Sequence, residues 1–223
     1  MLDPDFPYSC DSNRLVLTEP VDAATVDAAT SEVAGNAGWP HRTASLLWPG
    51  AAPVAAELGA QGWETEELLV MARPVGRLPG GERAEVVAQR EVHGLWERSW
   101  RAGLPETGAH LDRVVAQLIG REHLNDRVVA VSDVVVRESG AVVASGQLRV
   151  DGATAAVDSV MTDPAARGRG YADAVLARCL DLAGEAGCDL VVLVAAGDDW
   201  PRHWYARRGL GTVGTTWLVH RPA

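Results

Sequence analysis

Along residues 83–220 the spacing of apolar positions changes several times, and each change marks a new element. A short strand-like run, Arg83–Gln89, precedes two stretches of helical periodicity, Glu91–Arg101 and His110–Glu122. In the second, Leu111, Val114, Val115, Leu118 and Ile119 form one apolar stripe. Three strand-like runs follow, Arg127–Arg137, Ala141–Val150 and Ala153–Met161. They are joined by Glu138-Ser139-Gly140 and Asp151-Gly152, turn signals that predict an antiparallel meander. A loop from Thr162 to Gly170 leads into a helix reaching Glu185, with Ala172, Val175, Leu176, Cys179, Leu180 and Ala183 on one face. The uninterrupted run Leu190–Ala195 predicts a strand buried on both faces and parallel to the strand before that helix. A short helix, Pro201–Arg208, stops at Gly209, and a strand, Thr212–His220, follows.

Pro74-Val75-Gly76-Arg77-Leu78-Pro79-Gly80-Gly81 reads as a linker, dividing the chain into residues 1–74 and 82–223 with 75–81 between. A weak repeat spans the division. Trp48-Pro49, an Ala-rich helix, Gly62-Trp63, a strand and Arg73-Pro74 match Trp200-Pro201, a helix, Gly209-Leu210, a strand and Arg221-Pro222. The first part therefore reads as the tail of the second part's fold.

Composition narrows the chemistry. The chain of 223 residues is 47% hydrophobic and 22% charged, as in folded globular proteins. A net charge of −10 argues against nucleic-acid and anionic-membrane partners, which need a broad cationic face. The acidic start, MLDPDFPYSCD, and the absence of long apolar runs predict a cytoplasmic protein. All 20 basic residues are arginine, and Ile119 and Phe6 are single occurrences, a bias expected of a GC-rich bacterial gene. Without lysine, a Schiff base and a P-loop are both excluded. The three cysteines, Cys10, Cys179 and Cys188, and the six histidines lack metal-ligand spacing, so no metal and no disulfide are expected.

The most informative stretch is Val157-Asp158-Ser159-Val160-Met161 followed by Arg167-Gly168-Arg169-Gly170-Tyr171-Ala172. A glycine-containing loop that opens a helix offers unpaired N–H groups and the positive end of the dipole to an anion. Together with the two arginines it forms a pyrophosphate cradle. The G-x-G-x-x-G pattern fails at Asp173. The pattern Arg/Gln-x-x-Gly-x-Gly/Ala is met by Arg167, Gly170 and Ala172 and resembles the acetyl-CoA loop of the GCN5-related N-acetyltransferase (GNAT) family. The order of elements over about 82–223, and the closing Trp204-Tyr205-Ala206-Arg207-Arg208-Gly209-Leu210, are similar to that family too.

The resemblance implies a mixed α/β fold, with a mixed central sheet flanked by helices and a smaller, truncated and degenerate GNAT-like part in residues 1–74, as in tandem members. It implies acetyl-CoA as substrate, its pantetheine on Val160, Met161 and Thr162 and its pyrophosphate on Arg167, Gly168, Arg169, Gly170, Tyr171 and Ala172. It implies direct transfer to a primary amine of a small molecule or peptide, with no covalent intermediate and no metal. Tyr205 resembles the tyrosine that protonates the leaving sulfur; anchoring the short helix is the competing role. Asp158 is the candidate base, although the family's usual acidic position aligns with Ala156; a surface or substrate-orienting carboxylate is the competing role. Asp158 is expected to share a face with Val160. His203, Trp96 and Trp100 read as structural before functional, and Cys179 as core. A non-catalytic acyl-CoA-binding module stands as the alternative function. Oligomeric state is open, a homodimer included.

Overall fold

A computed structural model describes residues 3–222; Met1, Leu2 and Ala223, at the ends of the two expected parts, lie outside it. The described chain forms two compact units. One comprises residues up to Met71 with Val194–Arg207 and from Gly211 onward; the other comprises Ala72–Leu193 and Arg208–Leu210. This division differs from a boundary at 75–81, because the C-terminal strand pairs with the N-terminal part.

In the first unit, β1 (Leu15–Leu17) and β2 (His41–Leu46) are parallel and joined by α1 (Ala23–Ala37). α2 (Ala52–Ala60) leads to β3 (Glu64–Pro74), whose last residues belong to the other unit. The C-terminal strand β9 (Gly211–Pro222) runs antiparallel to β2, with His41 opposite Pro222 and Leu46 opposite Trp217. Ala23, Val26, Leu46, Trp48, Leu58, Trp63 and Val219 pack as its core. Each such large apolar side chain removed from water contributes about 1.5–3 kcal/mol.

The second unit opens where a free linker was expected. Val75 N–H donates to the Asp189 carbonyl at 2.9 Å, and Gly81–Arg83 forms a single 3-10 turn. That turn presses on a later helix so closely that a Cβ on Gly81 would lie 2.7 Å from Asp181 Oδ2. The segment is therefore part of the unit. β4 (Glu85–Val87), α3 (His93–Gly103), α4 (Gly108–Gly120) and a 3-10 stretch, Arg121–Arg127, follow. Next come β5 (Ala130–Glu138), β6 (Ala141–Asp151) and β7 (Thr154–Thr162), an antiparallel meander in the expected order. Ser139 and Gly140 both take positive φ, 49° and 84°, the geometry of a tight hairpin turn. α5 (Tyr171–Glu185) connects β7 to the parallel β8 (Leu190–Ala196). β8 is not buried on both faces, since Leu190 and Val194 are exposed. α6 (Pro201–Ala206) belongs to the first unit, and Gly209, after it, has φ of 86°.

The two strand–helix–strand–helix–strand series, β1-α1-β2-α2-β3 and β7-α5-β8-α6-β9, share their element order and their parallel first pair. Among the described residues no helix is long and apolar enough to cross a membrane.

Candidate functional site

The site is built on β7 and the loop after it. Between Gln147 and Ser145 the β6–β7 register slips. Gln147 faces Asp158 and Ser145 faces Met161, so Gly146 opposes both Ser159 and Val160. The extra residue is a bulge, and Ser159 pays for it in backbone strain, with φ of 52°. A Cβ on Gly146 would lie 2.7 Å from Val175 Cγ1 and 3.3 Å from Val160 Cγ2, which places Val160 on the α5 side. Asp158 opposes Gln147 and so lies on the other face, with Met161. The bulge thus separates Asp158 from Val160, which simple alternation put together.

β7 pairs with β8 only from Thr154 to Ala156, against Leu190 to Val192. Among the described residues, the β7 edge from Val157 to Thr162 has no strand beside it on that side. Its backbone groups, those of Val160, Met161 and Thr162 included, can accept an extended ligand as a strand would.

Thr162 is followed by a turn that Asp163 organises: its Oδ1 accepts from the Ala165 N–H at 3.1 Å, and Arg98 Nε lies 3.5 Å from its Oδ2. Gly168 and Gly170 both have φ of 76°, which side chains resist. Gly170 caps α5 without any side-chain hydrogen bond. The N–H groups of Gly168, Gly170, Tyr171 and Ala172 meet no acceptor among the described residues, as expected at a helix start. Asp173, the one acid in the first turn, is ion-paired with Arg208 through its Oδ1. Arg167 Nε reaches the Thr162 carbonyl at 3.4 Å, and Arg169 pairs with Glu138 at 2.5 Å. Arg83, which no pattern in the sequence marks, lies over the Tyr171 ring at 5.3 Å. Its Nη1 would be 3.6 Å from a Cβ on Gly170. It adds a guanidinium to the helix end.

A polar row crosses the sheet on the Asp158 face. Gln147 Nε2 donates to Asp133 Oδ1 at 2.9 Å, and Arg149 Nη2 donates to Gln147 Oε1 at 2.8 Å. Arg149 also pairs with Asp158 at 2.6 Å and with Glu122 at 3.3 Å. Asp158 is therefore an ion-paired, half-exposed carboxylate whose Oδ1 also accepts from the Ser159 N–H at 2.6 Å. Burial pushes the Glu122 carboxyl above its ordinary range, against the opposing pull of Arg121 and Arg149. Burial likewise raises Asp133, against its hydrogen bond from Gln147. His93 is lowered, first by burial and then by His123. The Ser145 hydroxyl and His93 Nε2 are buried without a partner among the described residues. Asp133, Gln147 and Arg149 could have been found from the sequence as polar residues at inward positions of otherwise apolar strands.

Tyr205 lies on α6 in the first unit, buried, with its ring edge-on to Trp204 at 4.7 Å. The loop and Asp158 lie in the second. His203 Nε2 accepts from Arg202 at 3.2 Å, Trp96 is in the α3 core, and Arg121 lies over the Trp100 ring at 5.9 Å. Cys179 is fully buried, and burial pushes its thiol up to about 12, which makes it inert at neutral pH.

Three comparisons bear on this site. No curated protein matches the sequence. A functionally unknown conserved protein from Staphylococcus epidermidis ATCC 12228 has a similar structure, with a TM-score of 0.74 and 14% identity over 99% of this chain and 89% of its own. A GCN5-related N-acetyltransferase from Kribbella flavida has a TM-score of 0.60 and 21% identity over 93% and 80%. A tandem GNAT protein from the clavulanic acid biosynthesis pathway has a TM-score of 0.57 and 15% identity over 90% and 68%. At such identities these likenesses speak for the fold. The sequence itself matches the Acetyltransferase (GNAT) family over residues 91–211, a stretch holding the meander, the bulged strand and the open helix end. With that match over more than half its length, the chain belongs to the GNAT acetyltransferase family.

Proposed function

We propose that the protein is an acetyl-CoA-dependent N-acetyltransferase whose acceptor is a primary amine, of a small molecule or a peptide, that carries positive charge. The observation that carries the reading is the pairing of an open, positively polarised helix end with an unpaired strand edge. The first suits the pyrophosphate of coenzyme A and the second its pantetheine arm. Arg83 and Arg167 supply charge to the pyrophosphate, and Gly168 and Gly170 let it approach the backbone.

The neutral amine attacks the thioester carbon, a tetrahedral oxyanion forms, and the thiolate leaves as it takes a proton. Tyr205 is the proposed proton donor. Asp158 is the proposed base, and Glu122 and Asp133, whose raised pKa values make them stronger bases, stand on the same polar row. Glu122, Asp133 and Asp158 outnumber Arg121 and Arg149 on this row, which favours a cationic acceptor. The first part is proposed to be a truncated family copy, because its elements repeat those of β7 to β9. Cytoplasmic location, as for a bacterial enzyme acting on soluble amines, goes with this reading.

Acetyl-CoA titration by calorimetry, followed by thiol release with a panel of polyamines, aminoglycosides and N-terminal peptides, tests the proposal. Binding with amine-dependent thiol release is expected; a folded protein that binds no acetyl-CoA overturns it. The ion pairing of Asp158 favours a second reading, a binding module without turnover. Tyr205→Phe separates the two: turnover falls about 100-fold or more with acetyl-CoA affinity kept if the chain is an enzyme.

A further inference from the structure

The first unit holds a group of donor side chains that acetyl transfer does not use. Thr43 on β2 stands directly opposite His220 on β9, and His41, two residues along, shares their face. Thr43 Oγ1 lies 2.9 Å from Nδ1 of both imidazoles. Cys10 Sγ lies 3.9 Å from His220 Nδ1. One ligand atom each from Cys10, His41 and His220 falls within 4.8 Å of the other two. His41 and Thr43 are buried.

The segment carrying Cys10 is held in place. Asn13, fully buried, donates to the carbonyls of Phe6 at 2.7 Å and Ser9 at 3.2 Å and accepts from the Asp3 N–H at 2.7 Å. The Thr43 hydroxyl oxygen has two lone pairs and can accept an N–H from Nδ1 of each ring. A ring that donates in this way carries its lone pair on Nε2. His41 Nε2 is buried and makes no hydrogen bond of full geometry among the described residues, the Pro7 carbonyl being a weak acceptor for the ring. An imidazole nitrogen shut away from water in this manner is a standing cost unless something uses its lone pair.

We propose that Cys10, His41 and His220 bind one Zn2+ ion, with the Thr43 hydroxyl orienting the imidazoles. One thiolate and two imidazoles are the donor set of that ion, and three protein ligands leave a fourth position for water. Binding converts the Cys10 thiol to a thiolate and releases its proton to solvent. The ion would fasten the N-terminal segment to the β2–β9 pair. Their scatter along the chain hid the three ligands from any reading of spacing, which predicted no metal.

The test uses the full chain, stripped with chelator and titrated with Co2+ as a coloured stand-in. One Co2+ per chain with a thiolate-to-metal charge-transfer band, displaced by Zn2+ with release of about one proton per ion, is expected. Cys10→Ser should abolish the band and weaken Zn2+ binding on the order of 100-fold, while Thr43→Ser keeps both. A wild-type protein with no charge-transfer band, or a Cys10→Ser protein with an unchanged one, overturns the proposal. The wild-type spectrum decides even if a variant fails to fold.

Discussion

The helices α1 and α5 are each 15 residues long and each connects two parallel strands, yet they begin in opposite ways. At α1, Asp22 Oδ1 accepts the Thr25 N–H at 2.8 Å, so a carboxylate of the chain already answers the helix's positive end. At α5, Gly170 leaves that end open, and Asp173 is tied to Arg208. The strand in front differs as well: β1 has 3 residues, whereas β7 has 9, with a bulge and an unpaired edge. A ligand site of this kind thus rests on the absence of a cap as much as on the presence of arginines.

The largest expected effect comes from giving α5 what α1 has. Gly170→Glu places a carboxylate beside Arg83 at the open donors, and acetyl-CoA affinity measured by calorimetry should fall on the order of 1,000-fold. Adding Asp22→Gly to that variant should restore nothing, since β1 stays paired with β2 over all its residues and does not part from it as β7 does from β8.

Next is the polar row that β7 carries and β1 does not. Arg149→Met leaves Glu122 buried beside fewer positive charges and should cost about 3 kcal/mol in denaturant unfolding. Glu122 and Asp133 bind protons more tightly folded than unfolded, so their contribution to stability is full below the ordinary carboxylate range and is lost as pH rises through their raised folded-state values. The variant should steepen that decline, with a greater loss at neutral than at mildly acidic pH.

Gly146→Ala probes the bulge. The new methyl would meet Val175 and Val160, and a loss of about 1–3 kcal/mol is expected, seen as a Tm lower by roughly 2–4 °C per kcal/mol. Smallest is Asp22→Ala. The hydrogen bond from Thr25 holds the Asp22 carboxyl below its ordinary range, so its help to stability is present above the unfolded pKa and is lost as pH falls through the folded one. The wild type and Asp22→Ala should therefore converge in Tm at acid pH.

The same two helices show what was legible. The meander, α5 and the parallel β8 could be read because glycine turns and apolar periodicity are local signals. The glycine loop could be read for the same reason. The bulge could not, because it rests on a serine at positive φ with no glycine in β7 to mark it. Nor could the Glu122–Arg149–Asp158 pairing or Arg83 at the helix end, since each depends on residues brought from distant elements. The boundary at 75–81 misplaced β9 because strand pairing, unlike a turn, leaves no mark at its own position.

That pairing also sets a timetable for synthesis. Thr43 and His220 stand side by side, 177 residues apart in the chain. At about 5–20 residues per second, a ribosome makes β2 and then takes roughly 10–35 s to deliver the strand that completes its sheet. Through that interval β2 carries an open strand edge. A nascent chain that stops before Gly211 leaves that edge unpaired, the kind of surface that invites aggregation and chaperone binding.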